Sequence, residues 1–190
     1  MYNLSRSTFL LCLVLFSHLT VKGASLQIQV YDYAAIGAKP LGQIALQLED
    51  ILRHAGISVQ VNICRGSIAV ACDEQDALNI RILPGYAKAM RNVGRLPMGQ
   101  AFANHMGGGY ASIFEGAVQD QAAAANIPWV VVLAHAAAHE VGHLLLGDLA
   151  HTQRGLMREN WDRNDYQLMN QNRLHFTDHQ ARQLADRYER

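Results

Sequence analysis

Charge is scarce in this chain. Asp, Glu, Lys and Arg make up 17% of its 190 residues, against about 25% in an average soluble domain. The 16 basic and 16 acidic side chains cancel. No basic excess points to nucleic acid or an anionic membrane surface, and no acidic tract points to a disordered tail. Cysteine is also sparse, with three residues and no CxxC pair, which argues against a thiolate zinc site. Internal repeats and low-complexity linkers are missing. What the chain has is apolar residues, half of the total, enough to build one substantial core.

Some of that apolar content lies in a leader. Arg6 supplies a positive start, Phe9–Phe16 is an unbroken apolar run, and Val21-Lys22-Gly23 places small residues where a signal peptidase cuts. Residues 1–23 therefore read as a secretory signal peptide and residues 24–190 as a single domain. An N-terminal membrane anchor is the competing reading, but the run is short for a span and polar Ser17, His18 and Thr20 follow it. Loss of Arg6 and Lys22 leaves 14 basic against 16 acidic residues, a net charge of about −2. The leader runs almost directly into the first strand, so no pro-segment is expected there. Two cysteines remain, Cys64 and Cys72. An even pair in an oxidising compartment predicts a disulfide closing the short loop 65–71.

Alternating apolar and polar residues predict strands over 26–31, 57–63 and 78–83. Helical spacing of Ile44, Leu48, Ile51, Leu52 and Ala55 predicts a helix over 37–55, stopped at Gly56. A loop-rich stretch then runs to Gly109, and a fourth strand is expected over 110–118 after the turn Gly107-Gly108-Gly109. Pro128 opens a long helix that ends at Gly147. An irregular segment follows over 148–174, and Thr177 caps a last helix. This order predicts an α+β fold.

The long helix carries His139-Glu140-Val141-Gly142-His143. Histidines four apart lie on one face, one turn apart, and can share a metal ion. Glu140 points about 100° away in an ideal helix, so it is placed to serve a metal-bound water as a base rather than to ligate. Zinc lowers the pKa of such a water to about 7. HExxH is short, and chance matches on ordinary amphipathic helices occur. Here the flanks Val130–Leu133 and Leu144–Leu146 are apolar, which predicts a buried helix whose histidines need partners. A further histidine, His151, follows a glycine, and Gly155-Leu156-Met157 comes soon after.

The stretch from His139 to Met157 resembles the metzincin zinc peptidases, whose motif is HExxHxxGxxH followed by a methionine-bearing turn. The resemblance implies zinc ligands His139, His143 and His151, general base Glu140 and turn methionine Met157. Glycine comes four residues after His143 instead of three, and the next histidine comes eight after instead of six. Asp148 is therefore the alternative third ligand, and Glu159 a weaker one by analogy with other HExxH enzymes. The implied fold is a small mixed sheet packed on the active-site helix, with an irregular C-terminal part ending in a helix. The implied substrate is a peptide or protein, held extended along the strand before that helix, with Tyr110, Ala111, Ser112 and Ile113 supplying backbone hydrogen bonds. His135 shares the ligand face but reads as packed. His54, His105, His175 and His179 read as surface residues.

The expectation is a secreted zinc endopeptidase with one catalytic ion, acting on peptides, with no nucleic-acid partner and no membrane after signal cleavage. The alternative is an exported, non-catalytic module that uses the same histidines to hold zinc for structure. An intramembrane protease is a poor fit, because 127–146 is the one long apolar stretch beyond the leader and it holds costly ionisable residues. The remaining rival is a zinc-free helical domain with a chance motif.

Overall fold

The computed structural model describes residues 25–64, 72, 77–87, 97–103 and 109–188. The expected signal peptide, His105 and the turn glycines Gly107 and Gly108 lie outside the described residues. The chain folds as a mixed α+β structure with five strands and five helices among the described residues. These are β1 (Leu26–Asp32), α1 (Ala38–His54), β2 (Val59–Cys64), β3 (Leu78–Leu83), β4 (Gly99–Ala103), β5 (Gly109–Phe114), α2 (Glu115–Ala125), α3 (Trp129–Leu146), α4 (Arg163–Asn170) and α5 (Asp178–Tyr188).

The sheet order is β2-β1-β3-β5-β4. All neighbours are parallel except β4, which runs antiparallel to β5 at one edge. Parallel pairing requires crossovers, and α1 supplies the one between β1 and β2. Leu26, Ile28 and Val30 of β1 and Leu78, Ile80 and Ile82 of β3 are buried in one core with Leu48, Ile51 and Leu52 of α1. Against this core lies α3, buried from Val132 to Gly142 without interruption. Its length and apolar composition would suit a membrane span, but most of it is enclosed by the fold.

Strand and helix expectations over 26–83 match closely. Gly56 adopts a φ of 80° just beyond α1, a left-handed geometry that a side chain would oppose. Three expectations need correction. The strand over 110–118 ends at Phe114, and Glu115 starts α2. That helix is driven by its alanines, which favour helix strongly, and Gly116 seats it against Gly85, with its N–H donating to the Gly85 carbonyl at 2.9 Å. The loop-rich stretch contains β4, which has no buried residue and so carries no alternating signature; pairing with β5 holds it. The irregular segment contains α4, which begins in a capping box between Asp162 and Asp165. The Cys64–Cys72 disulfide is formed, with Cα atoms 6.0 Å apart.

Candidate metal centre

Each half of the centre comes from a different part of the chain. α3 presents His139 and His143 from successive turns. Gly147, at φ 94°, then ends the helix and reverses the chain, and its N–H still donates to the His143 carbonyl at 2.9 Å. The return loop brings back His151. It is pinned from outside by Gln180 of α5, whose Nε2 donates to the Ala150 carbonyl at 2.8 Å. Gln180 is itself fixed by a reciprocal cap with Thr177, so the terminal helix braces the return loop through this side chain.

The three imidazoles converge. His143 Nε2 lies 3.1 Å from His139 Nε2 and 3.0 Å from His151 Nε2. All three ligand atoms lie within 4.8 Å of one another. His139 Nδ1 lies 2.9 Å from the Leu156 carbonyl, and His143 Nδ1 lies 3.3 Å from the Gly147 carbonyl. A carbonyl can only accept, so both Nδ1 atoms carry the hydrogen and both Nε2 atoms present lone pairs. Lone pairs so close repel unless a cation joins them. Fixing the far ring nitrogen on a carbonyl is also how metal-binding histidines are oriented. The donor set therefore fits a divalent transition ion that accepts imidazole.

Burial prepares these groups. His139 is pushed down to about 4 by desolvation, an effect partly opposed by the Leu156 carbonyl and reinforced by the neighbouring imidazoles. His143 is lowered for the same leading reason. Both are neutral near pH 7, so no proton competes with a metal. Desolvation raises the Glu140 carboxyl to about 8. A nearby cation would favour its charged form again.

Next to His139, whose Nδ1 meets the Leu156 carbonyl, Gly155 at φ 81° opens a turn that carries Leu156 and Met157, both fully buried. The turn is tied to the return loop by Thr152 N–H to the Met157 carbonyl at 2.9 Å, and to the segment before α5 by Leu156 N–H to the His175 carbonyl at 2.8 Å. Met157 sits directly under Gly142. A Cβ at that position would overlap the Met157 sulfur and come within 2.9 Å of Phe176. The glycine inside the HExxH segment therefore leaves the space that Met157 and Phe176 fill.

A cleft of about 410 Å³ opens over the imidazoles, between β4 (Gly99, Gln100, Ala101) on one side and Asn160 and Trp161 on the other. Of the sequence candidates, His139, Glu140, His143 and His151 are gathered here. Asp148 and Glu159 line the same cleft but lie outside the converging group. The substrate-strand expectation is corrected. β5 is paired on both sides, Tyr110 with Asn79 and Phe102, and Ile113 with Ile82 and Gly99. Tyr110, Ala111, Ser112 and Ile113 have no free edge to offer. The sheet edge beside the cleft belongs to β4. Sequence reading also missed Trp161. Its indole N–H donates to the Leu156 carbonyl at 3.1 Å, the same oxygen that holds His139, and its ring stands edge-on to His139 at 5.6 Å. A lone large aromatic within the polar run Arg158–Arg163 was the available signal.

No known family profile matches the chain, and no curated protein matches it.

Proposed function

We propose that the chain is a secreted zinc endopeptidase of metzincin type. One observation carries the reading: the Nε2 atoms of three imidazoles converge, and a buried carboxyl, Glu140, lines the same open cleft. His139, His143 and His151 would hold the ion. When bound, zinc supplies Lewis acidity toward a water and a peptide carbonyl. Glu140 takes the proton of the attacking water and passes it to the leaving amine. The unpaired edge of β4 binds an extended peptide by strand addition, and Met157 supports the imidazoles from below. The disulfide is compatible with an extracellular location.

The alternative, a non-catalytic zinc module, gains some support from Asp148. Its charge acts to raise His143, so it stands near enough to be considered for closing the site. That reading leaves the buried Glu140 without a purpose.

The test is zinc content and hydrolysis of an unstructured protein substrate by the mature chain. Wild type should hold a single zinc and cleave. Glu140→Ala should keep the zinc and lose about 10²- to 10⁴-fold in kcat. His151→Ala should lose zinc, and Asp148→Ala should keep it. Zinc without cleavage would favour the module, and a folded chain that binds no zinc would overturn both readings.

A further inference from the structure

Gly99 begins β4 at the rim of the cleft, paired in register with Ile113. Glycine weakens a strand, and inside one it commonly marks a close approach by another group. The backbone does not call for it, because Gly99 is absent from the glycines at positive φ. The space where its side chain would stand does. A Cβ there would lie 2.6 Å from Glu140 Cγ, 2.7 Å from Oε1 and 2.9 Å from Cδ. All three nearest atoms belong to that carboxylate arm. Gly109, at the other end of the same hairpin, differs: a Cβ there would meet Leu144 and the backbone of Phe102.

We propose that Gly99 is a positioning residue for Glu140: the missing side chain is the seat that the carboxyl arm occupies in the cleft it shares with the three imidazoles. The inference rests on the peptidase reading for its consequence, though not for its geometry. Glu140 has rotatable bonds, whereas β4 is fixed by its ladder, so a methyl group at 99 would turn the carboxylate rather than move the strand. The fold and the zinc ligands should be untouched while the base is displaced. A misplacement of about 1 Å in such a group can cost about 100-fold in rate.

The experiment is a double-mutant cycle of Gly99→Ala and Glu140→Asp, with kcat, KM, zinc content and melting temperature read for each form. Gly99→Ala should lower kcat about 100-fold, with KM, zinc and melting temperature near wild type. Glu140→Asp withdraws the carboxyl by one methylene and vacates the seat. The double variant should therefore be no slower than Glu140→Asp alone. Gly99→Ala with unchanged kcat, loss of its zinc, or a double variant whose losses multiply would each overturn the proposal. A readout independent of catalysis accompanies these: the carboxyl ¹³C resonance of Glu140, assigned by its loss in Glu140→Gln, should move in Gly99→Ala. If wild type cleaves nothing, the peptidase reading fails, and a resonance that stays fixed separately defeats the seat.

Discussion

His135 and His139 sit one turn apart on the same face of α3, and both are buried. Desolvation pushes each down to about 4. Each anchors its Nδ1 on a backbone carbonyl, yet they have different surroundings. His135 bonds back to Val131 of its own helix at 2.8 Å. His139 bonds to Leu156, seventeen residues further on. The Nε2 of His139 meets another imidazole, whereas that of His135 has no hydrogen-bond partner among the described residues. The helix supplies two equivalent side chains, and the return loop and methionine turn bring only one of them into a group that could hold a metal ion. A histidine's chemistry here is decided by what the chain brings to it after the helix has ended.

The widest separation between the two should appear in metal-linked stability. With zinc at about 1,000 times its dissociation constant, wild type should gain about 4 kcal/mol. His139→Ala should lose that gain, and His135→Ala should keep it from a lower starting point. Thermal melts with and without zinc decide this, and equal losses would erase the distinction.

Acid should reveal what they share. The folded pKa of His135 lies near 4, below the 6.5 of an unstructured histidine. Between these values the unfolded chain binds the extra proton, so stability is complete above about pH 6.5 and is lost as pH falls toward about 4. His135→Phe in the metal-free chain should remove about 3 kcal/mol of that acid-dependent loss. Denaturant melts across the window measure the difference, and parallel pH curves for variant and wild type would contradict it.

A smaller effect tests the floor of the site. Gly142→Ala forces a methyl group into Met157 and Phe176 and should destabilise by about 1–3 kcal/mol. Zinc affinity should weaken with it, because the turn carrying Met157 also carries the carbonyl that orients His139. Restoring affinity in Gly142→Ala/Met157→Ala, where room returns, would tie the loss to that contact.

Much of this was legible in the residues. The HExxH spacing, the reversal at Gly147, His151 and Met157 are local features, and their placement in the structure follows from helix periodicity and from glycine's freedom. The first three strands and α1 were legible because one face of each packs on the core, fully in β1, β3 and α1 and partly in β2, and the pattern records it. β4 was not, since none of its residues is fully buried and its one large apolar side chain, Phe102, is exposed. The free edge was misplaced for the same reason: with β4 unseen, β5 looked like an edge. α4 is eight residues long, too short for a period to speak, though the Asp162 and Asp165 pair was there to be read. Gly99 and Trp161 meet partners distant in sequence, Glu140 and His139, and spacing along the chain carries no record of that.

The indole of Trp161 has a consequence beyond holding a carbonyl. It is one of two tryptophans in the chain, and it stands edge-on to an imidazole that changes its electronic character whenever a proton or a metal ion arrives. The emission of this ring is thus an internal gauge of the site. Compared with a Trp129→Phe form, in which Trp161 alone glows, its brightness would follow loading of the centre in real time, with no dye, substrate or tag.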